Sequence, residues 1–481
     1  MNRQIRRLGV ALLLAFGVLF LMMNYVQVVE ASRLAHNPNN PRQVIADFNK
    51  PRGDIISADG VVVAHSVPTN DDLKYLRQYP TGALFGQITG FDSFIYGVQD
   101  GVEQTYNRQL SGHDLPIHSL RQILSNRSTT GTVVLTVSDK VQQAAQKALG
   151  NQAGSVVVID PSTGGLLAMY SNPSYDPSAL ASHDTHQERT AWTLFQLNPV
   201  QPMLPRAYRR TYPPGSTFKL VVSAAVLDRD PSLAGKTYPV TSQINLPLTT
   251  NKLHNFANES CGGQLPHLLQ VSCDTGYGQI GLDLGPDNLS GEASAFGFNQ
   301  RPPIDLPAAA PSNFPSASFF QHNLPLLAYS AIGQSDVRAT TLQMALVGET
   351  IADAGTALAP HVMAEIRDSQ GNVVQQYKPH AWLHPITTPT AAAITQMMQL
   401  VTSPGGTAPD LALPNVPVAA KTGTAQTGVN TTDDWMVAFA PANAPRVVVA
   451  VTVPDQPPSA TGDAVAGPIT RAVLTAALGG P

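Results

Sequence analysis

At 481 residues the chain is too long for one ordinary domain, and with 43% hydrophobic and 13% charged residues it can fill a core and is no disordered polymer. Proline and glycine, 40 and 37 residues, promise many turns without reaching a low-complexity composition. A formal net charge of −4 offers no electrostatic case for nucleic acid.

Arg3, Arg6 and Arg7 precede an unbroken apolar run from Leu8 to Met23, and the segment 8–26 is long enough for a short membrane-spanning helix. Arginines before the run and none just after it predict a cytoplasmic tail, 1–7, with the rest exported as a single-pass protein of the plasma membrane. The competing reading is a cleaved signal peptide. Against it, Val29-Glu30-Ala31 is a poor cleavage site and the apolar run is long for a signal core. Disulfides persist outside the cytoplasm, so Cys261 and Cys273 are expected either as a bridge or as two buried free thiols.

Residues from Arg33 to Pro51 read as an extended stalk. Asp59-Gly60 lies between Ile55-Ile56 and Val61-Val62-Val63 and predicts a hairpin. Taken whole, 27–131 is a β-rich stalk and pedestal module with no cluster of His, Cys or carboxylates that resembles a site. A strand at Thr132–Val137 and a helix at Asp139–Leu149 capped by Ser138 open a second domain, 132–481. Strands at Ser155–Ile159 and Leu166–Tyr170 flank a turn at 160–165. Three more are expected at Val416–Gly423, Trp435–Phe439 and Val447–Val453, followed by a helix at Ile469–Leu478. Strands at both ends of a domain with helical sequence between them argue for an α+β unit, helices packed on an antiparallel sheet. His183, His186 and Glu188 fall in a stretch read as a solvated loop. No metal-ligand spacing and no phosphate-binding glycine loop occurs, so no metal or cofactor is expected.

Pro213-Pro214-Gly215-Ser216-Thr217-Phe218-Lys219 leads into an apolar run, Leu220–Leu227, which predicts a buried helix whose first turn carries Ser216 and Lys219. Residues three apart share a face, so an amine stands beside a hydroxyl at a helix N-terminus. Acyl transfer needs a nucleophile, a base and donors for an oxyanion. Alone, these four residues are a common pattern that reads as a serine cap and an ordinary surface lysine, and the chemistry needs their context. Two further motifs follow, Ser272-Cys273-Asp274 and Lys421-Thr422-Gly423-Thr424. In this order the three resemble the motif set of penicillin-binding proteins and class A β-lactamases. Arg52-Gly53-Asp54-Ile55, Asp160-Pro161-Ser162-Thr163-Gly164, Gly333-Gln334, Thr341–Ala345 and Asp434–Val437 extend the similarity to class B penicillin-binding proteins. Tyr96-Gly97, Val102-Glu103 and Leu110-Ser111-Gly112 point to the actinobacterial penicillin-binding protein A group.

The resemblance implies a penicillin-binding protein and serine β-lactamase-like domain, a five-stranded antiparallel sheet with helices on both faces. It implies a D,D-transpeptidase of peptidoglycan: Ser216 attacks the D-Ala-D-Ala carbonyl of a stem peptide and passes the acyl group to an amine of a neighbouring stem. β-Lactams would acylate the same serine. Lys219 would be the base, Ser272 the bridge between Lys219 and Lys421, and the N–H groups of Ser216 and Thr424 the oxyanion hole. Asp274, Thr422, Gly423 and Thr424 would line the substrate site, with the threonines on its carboxylate. The family usually has Asn where Asp274 stands. A carboxylate there should raise the pKa of Lys219, against its use as a base, with Lys421 as the expected offset. Class B members lack a glycosyltransferase domain, which implies a polytopic glycan polymerase as partner. The alternatives are a catalytically weak scaffold or a β-lactam-hydrolysing or sensing protein. The anchor and the module from Arg52 to Gly131 argue against a hydrolase, and the single span against a sensor.

Overall fold

The computed structural model of the chain describes residues 2–30, 41–112, 130–428 and 430–479. It divides into two compact units, Met1–Pro51 with Ser66–Leu76, and Arg52–His65 with Arg77–Pro481. In the first, the helix Asn2–Asn24 continues through a π-helical turn, Tyr25–Val29. Arg3–Val29 is, among the described residues, the one helix long and apolar enough to cross a membrane. Of the expected extended stalk, residues 33–40 lie outside the described residues, and Pro41–Phe48 is a helix instead. Pro41 occupies the first helical position, where its missing N–H costs nothing.

In the second unit, Ile55–Ile56 pairs antiparallel with residues 62–64 around Gly60 at a φ of 85°, the hairpin expected from Asp59-Gly60. Asp59 also caps the helix Asp139–Leu149, accepting from Asp139 N at 2.8 Å and Lys140 N at 3.0 Å, beside the predicted Ser138 cap. Burial opposes the Asp59 charge, but its donors outweigh burial and hold the carboxyl at about 2. Thr132–Leu135 runs parallel to Ile55–Ile56 and antiparallel to Met363–Arg367. That strand therefore belongs to a mixed sheet built from distant parts of the chain. Arg52 closes this region by donating to Glu103 at 2.5 Å, while Arg77 meets the other oxygen of Glu103 at 2.7 Å.

The expected five-stranded sheet runs in the order Ala419–Gln426, Thr432–Ala440, Val447–Gln456, Gly154–Ile159, Leu166–Asn172, with every pair antiparallel. Thr432–Ala440 and Gly154–Ile159 are buried at every residue because helices cover both faces. A Cβ on Gly348, in the helix Thr341–Ala352, would press on Val437 and Val448, whereas one on Gly467, in the helix Gly462–Ala477, would meet Met436. Met436 and Val437 are strand neighbours and point to opposite faces.

The stretch read as a solvated loop around His183 is a correction. Thr185–Leu197 is a helix, with Asp184 accepting from the N–H groups of His186 and Gln187, and Glu188 is buried with Ser93 donating to it.

Candidate active site

The turn carrying Ser216 is set by its glycine and prolines. Gly215 has a φ of 52°, and a Cβ there would lie 3.0 Å from the Thr424–Ala425 backbone, so conformation and close approach both call for glycine. Thr217 Oγ1 donates to Pro214 O at 2.7 Å, and Trp435 Nε1 to Pro213 O at 2.8 Å. Gly215–Phe218 makes a 3-10 turn and Lys219–Asp228 an α-helix buried from Lys219 to Val226, as its apolar pattern requires. Ser216 thus stands on a pinned turn, and Lys219 opens a core helix.

Lys219 and Lys421 are both wholly buried. Lys219 Nζ donates to Asp274 Oδ1 at 2.6 Å, to Ser272 O at 2.8 Å and to Ser272 Oγ at 3.2 Å. Lys421 Nζ reaches the same Ser272 Oγ at 2.8 Å and Thr422 O at 2.9 Å. One hydroxyl therefore bridges two buried amines. Ser272 takes a φ of 55°, a conformation uncommon for any residue but glycine. It is flanked by the Cys261–Cys273 disulfide and by the first residue of the helix Asp274–Ala295.

Burial pulls the Lys219 amine down and outweighs the Asp274 carboxylate, which pulls the other way. Lys421 falls well below the ordinary lysine value, from burial and then from the charge of Lys219. The expected upward push from Asp274 is present, but desolvation is the larger effect and reverses the net direction. Among the described residues no hydrogen bond joins Ser216 to Lys219, whose three protons are all taken by Ser272 and Asp274.

These groups meet in a cleft of about 740 Å³ lined by Ser216, Ser272, Asp274, Thr422 and Thr424. Gly423 has a packing reason to lack a side chain: a Cβ there would come within 2.8 Å of Pro214 O and 2.9 Å of Thr217. Its absence lets the Lys421 strand abut the Ser216 turn. Thr422 Oγ1 is 2.8 Å from Thr407 Oγ1, and Thr424 Oγ1 accepts from Gly462 N at 2.9 Å. Thr407 and Gly462, which also line the cleft, were not singled out by the sequence, since each meets its motif residue only in the fold.

A family model described as the penicillin binding protein transpeptidase domain matches residues 154–475. The chain belongs to this family. Residues 52–134 of this penicillin-binding protein match a second model, the penicillin binding protein A dimerisation domain. The peptidoglycan D,D-transpeptidase PbpA of Mycolicibacterium smegmatis is 36% identical, covering 99% of this chain and 99% of its own length. Its namesake from Mycobacterium tuberculosis is 33% identical over 100% of both. Penicillin-binding protein A from M. tuberculosis, solved as a penicillin G acyl-enzyme complex, superposes with a TM-score of 0.81 at 33% identity, covering 89% of this chain and 100% of that one.

Proposed function

We propose that this class B penicillin-binding protein is a serine-type D,D-transpeptidase that cross-links peptidoglycan stem peptides and is acylated by β-lactams at Ser216. The observation that carries the proposal is the single hydroxyl of Ser272 between two buried amines, beside the turn that presents Ser216. The relatives named for the activity and the penicillin G acyl-enzyme support the same assignment.

Ser216 Oγ attacks the carbonyl carbon, and its proton passes to Lys219 once that amine is neutral. Lys219 becomes neutral by giving a proton through Ser272 to Lys421, whose neutral amine can accept it once the substrate carboxylate offsets the charge that burial disfavours there. The bond from the carbonyl carbon to the D-Ala nitrogen then breaks, and that nitrogen takes a proton by way of Ser272. An acceptor amine of a second stem attacks the ester, forms the new amide and restores the Ser216 hydroxyl. The N–H groups of Ser216 and Thr424 carry the oxyanion, each donor worth about 3 kcal/mol. Thr422 and Thr424 hold the substrate carboxylate, Lys421 balances its charge, and Asp274 faces the substrate backbone.

The same proposal assigns residues 1–7 to the cytoplasm, 8–26 to the membrane, 27–131 to a pedestal, and 132–481 to the extracytoplasmic catalytic unit. The arginines before the apolar helix support this topology, and the dimerisation-domain match supports the pedestal. A polytopic glycan polymerase is the partner proposed for the anchor and pedestal. Deleting residues 33–131 should abolish its stimulation, and full polymerase activity without them would refute the partnership. Acylation itself is tested by fluorescent penicillin on the detergent-solubilised chain. Labelling of the wild type and none of Ser216→Ala is expected, and equal labelling of both would refute the assignment.

A further inference from the structure

Behind Thr424 lies a carboxylate that the transfer chemistry does not use. Asp434 stands directly opposite Thr424 in the register of the two strands, which sets their Cβ atoms about 5 Å apart on one face of the sheet. It is wholly buried, and neither of its oxygens has an aligned hydrogen-bond partner. Such a group is unfavourable in its charged form. Burial pushes Asp434 up to about 6, against the hydroxyls of Thr424 and Thr432, which lie close enough to favour the charge without being aligned as hydrogen bonds.

The Thr424 hydroxyl has one proton to give and two lone pairs to offer. One lone pair is taken by the N–H of Gly462, at the start of the helix Gly462–Ala477. Its proton can go to an ionised Asp434 or out into the cleft. A protonated Asp434 would occupy the second lone pair and leave only the outward direction.

We propose that Asp434 is a positioning residue that sets the direction of the Thr424 hydroxyl. Protonated, Asp434 turns that O–H toward the carboxylate of the ligand. Ionised, it draws the O–H away and places a second negative charge behind the carboxylate site. The inference rests on Thr424 being a carboxylate ligand, as proposed above. Asp433, the neighbour on the same strand, is itself pushed up to about 6 by burial, and where it is ionised it favours the neutral form of Asp434. The charged groups on the packed elements are Asp455 on Val447–Gln456, Asp463 and Arg471 on Gly462–Ala477, Glu349 on Thr341–Ala352, and Lys421 on the adjoining strand. Lys421 and Thr424 are three residues apart on a strand, so the lysine points to the other face.

The test measures acylation rates by penicillin G and by its methyl ester, which lacks the charge, on both sides of pH 6 in the full chain. Asp434→Asn keeps an N–H on Thr424 at every pH. It should match the wild type below the transition and exceed it above by about tenfold with penicillin G, the effect of one hydrogen bond to a charged group. With the ester, the ratio of variant to wild type should stay flat. Asp434→Ala has neither donor nor acceptor and should also lose the pH-dependent difference between the two ligands. Taking the ratio of the two ligands within each protein cancels any change in folded fraction. A wild-type ligand ratio that does not change with pH overturns the proposal, as does the same pH-dependent ratio in Asp434→Asn. Thr424→Val separates the premises. If it acylates with penicillin G at the wild-type rate, the carboxylate role of Thr424 fails. If it is slow while Asp434→Asn behaves as wild type, only the role of Asp434 fails.

Discussion

In the module matched by the dimerisation-domain model, residues 52–134, Arg52 and Arg77 close on Glu103, much as Lys219 and Lys421 gather at Asp274 and Ser272 beneath the cleft. Both clusters bury two cations with few anions, yet the cation types separate them. A guanidinium cannot lose its proton, so the arginines stay charged and use their planar forks: Arg52 also bonds Asn107 at 2.7 Å and the Glu103 carbonyl at 3.0 Å. Burial works against the Glu103 charge, but the two arginines outweigh it and hold its carboxyl below the usual range. An ammonium answers the same burial by giving up its proton, and Lys421 is driven well down. The first cluster therefore joins Arg52 to Glu103, 51 residues apart, as a fixed brace. The second is a place where a proton can move.

Exchanging the cation type is the sharpest way to break this contrast. Lys421→Arg fixes a charge where a neutral amine is required, and acylation by penicillin G should fall about a thousandfold. Retention within about tenfold would mean that no proton passes through this site. Glu103→Gln leaves Arg77 without its counter-charge and Arg52 with only Asp92 at 3.8 Å, and should lower stability by about 3–5 kcal/mol in urea unfolding. A negligible change there would show that the brace carries no stability. Lys421→Met should move stability the other way, by about 1 kcal/mol or more, while acylation is lost. The sign follows from proton linkage: below about pH 10.4 the unfolded chain binds a proton that the folded chain refuses, so wild-type stability rises with pH toward that value. The methionine variant should show a shallower slope, the remainder coming from Lys219. The smallest effect is expected for Asp274→Asn, with acylation within about tenfold of wild type or faster, because burial rather than the carboxylate sets the direction for Lys219. A loss of about a hundredfold would give the carboxylate a required role.

The three motifs were legible because each is contiguous in the chain, and the cleft gathers all of them. The five core strands were legible from short apolar runs, although the Lys421 strand begins at Ala419 rather than Val416. Other features depend on distant partners. Thr132–Leu135 alternates like any half-buried strand, and nothing local says that its neighbours are Ile55–Ile56 and Met363–Arg367. The helix Thr185–Leu197 carries a signal that was available, an Asp184 cap followed by Glu188 in the first turn, but its polar composition masked it. Asp434 enters the sequence reading only through the likeness to class B penicillin-binding proteins, just ahead of the strand expected from Trp435, and only the register with Thr424 gives it a context. The sign of the Lys219 shift also needed the fold, since a sequence shows the nearby carboxylate but not the completeness of burial.

The central claim is that burial in the cleft depresses a lysine amine well below its ordinary value, and NMR titration of lysine Nζ and Cε signals tests it most directly. With the Lys421 resonance assigned through Lys421→Met, the account predicts an amine that takes up its proton well below the pH at which ordinary lysines titrate. Lys219 and Lys421 both remaining charged until about pH 10, where ordinary lysines titrate, would contradict it.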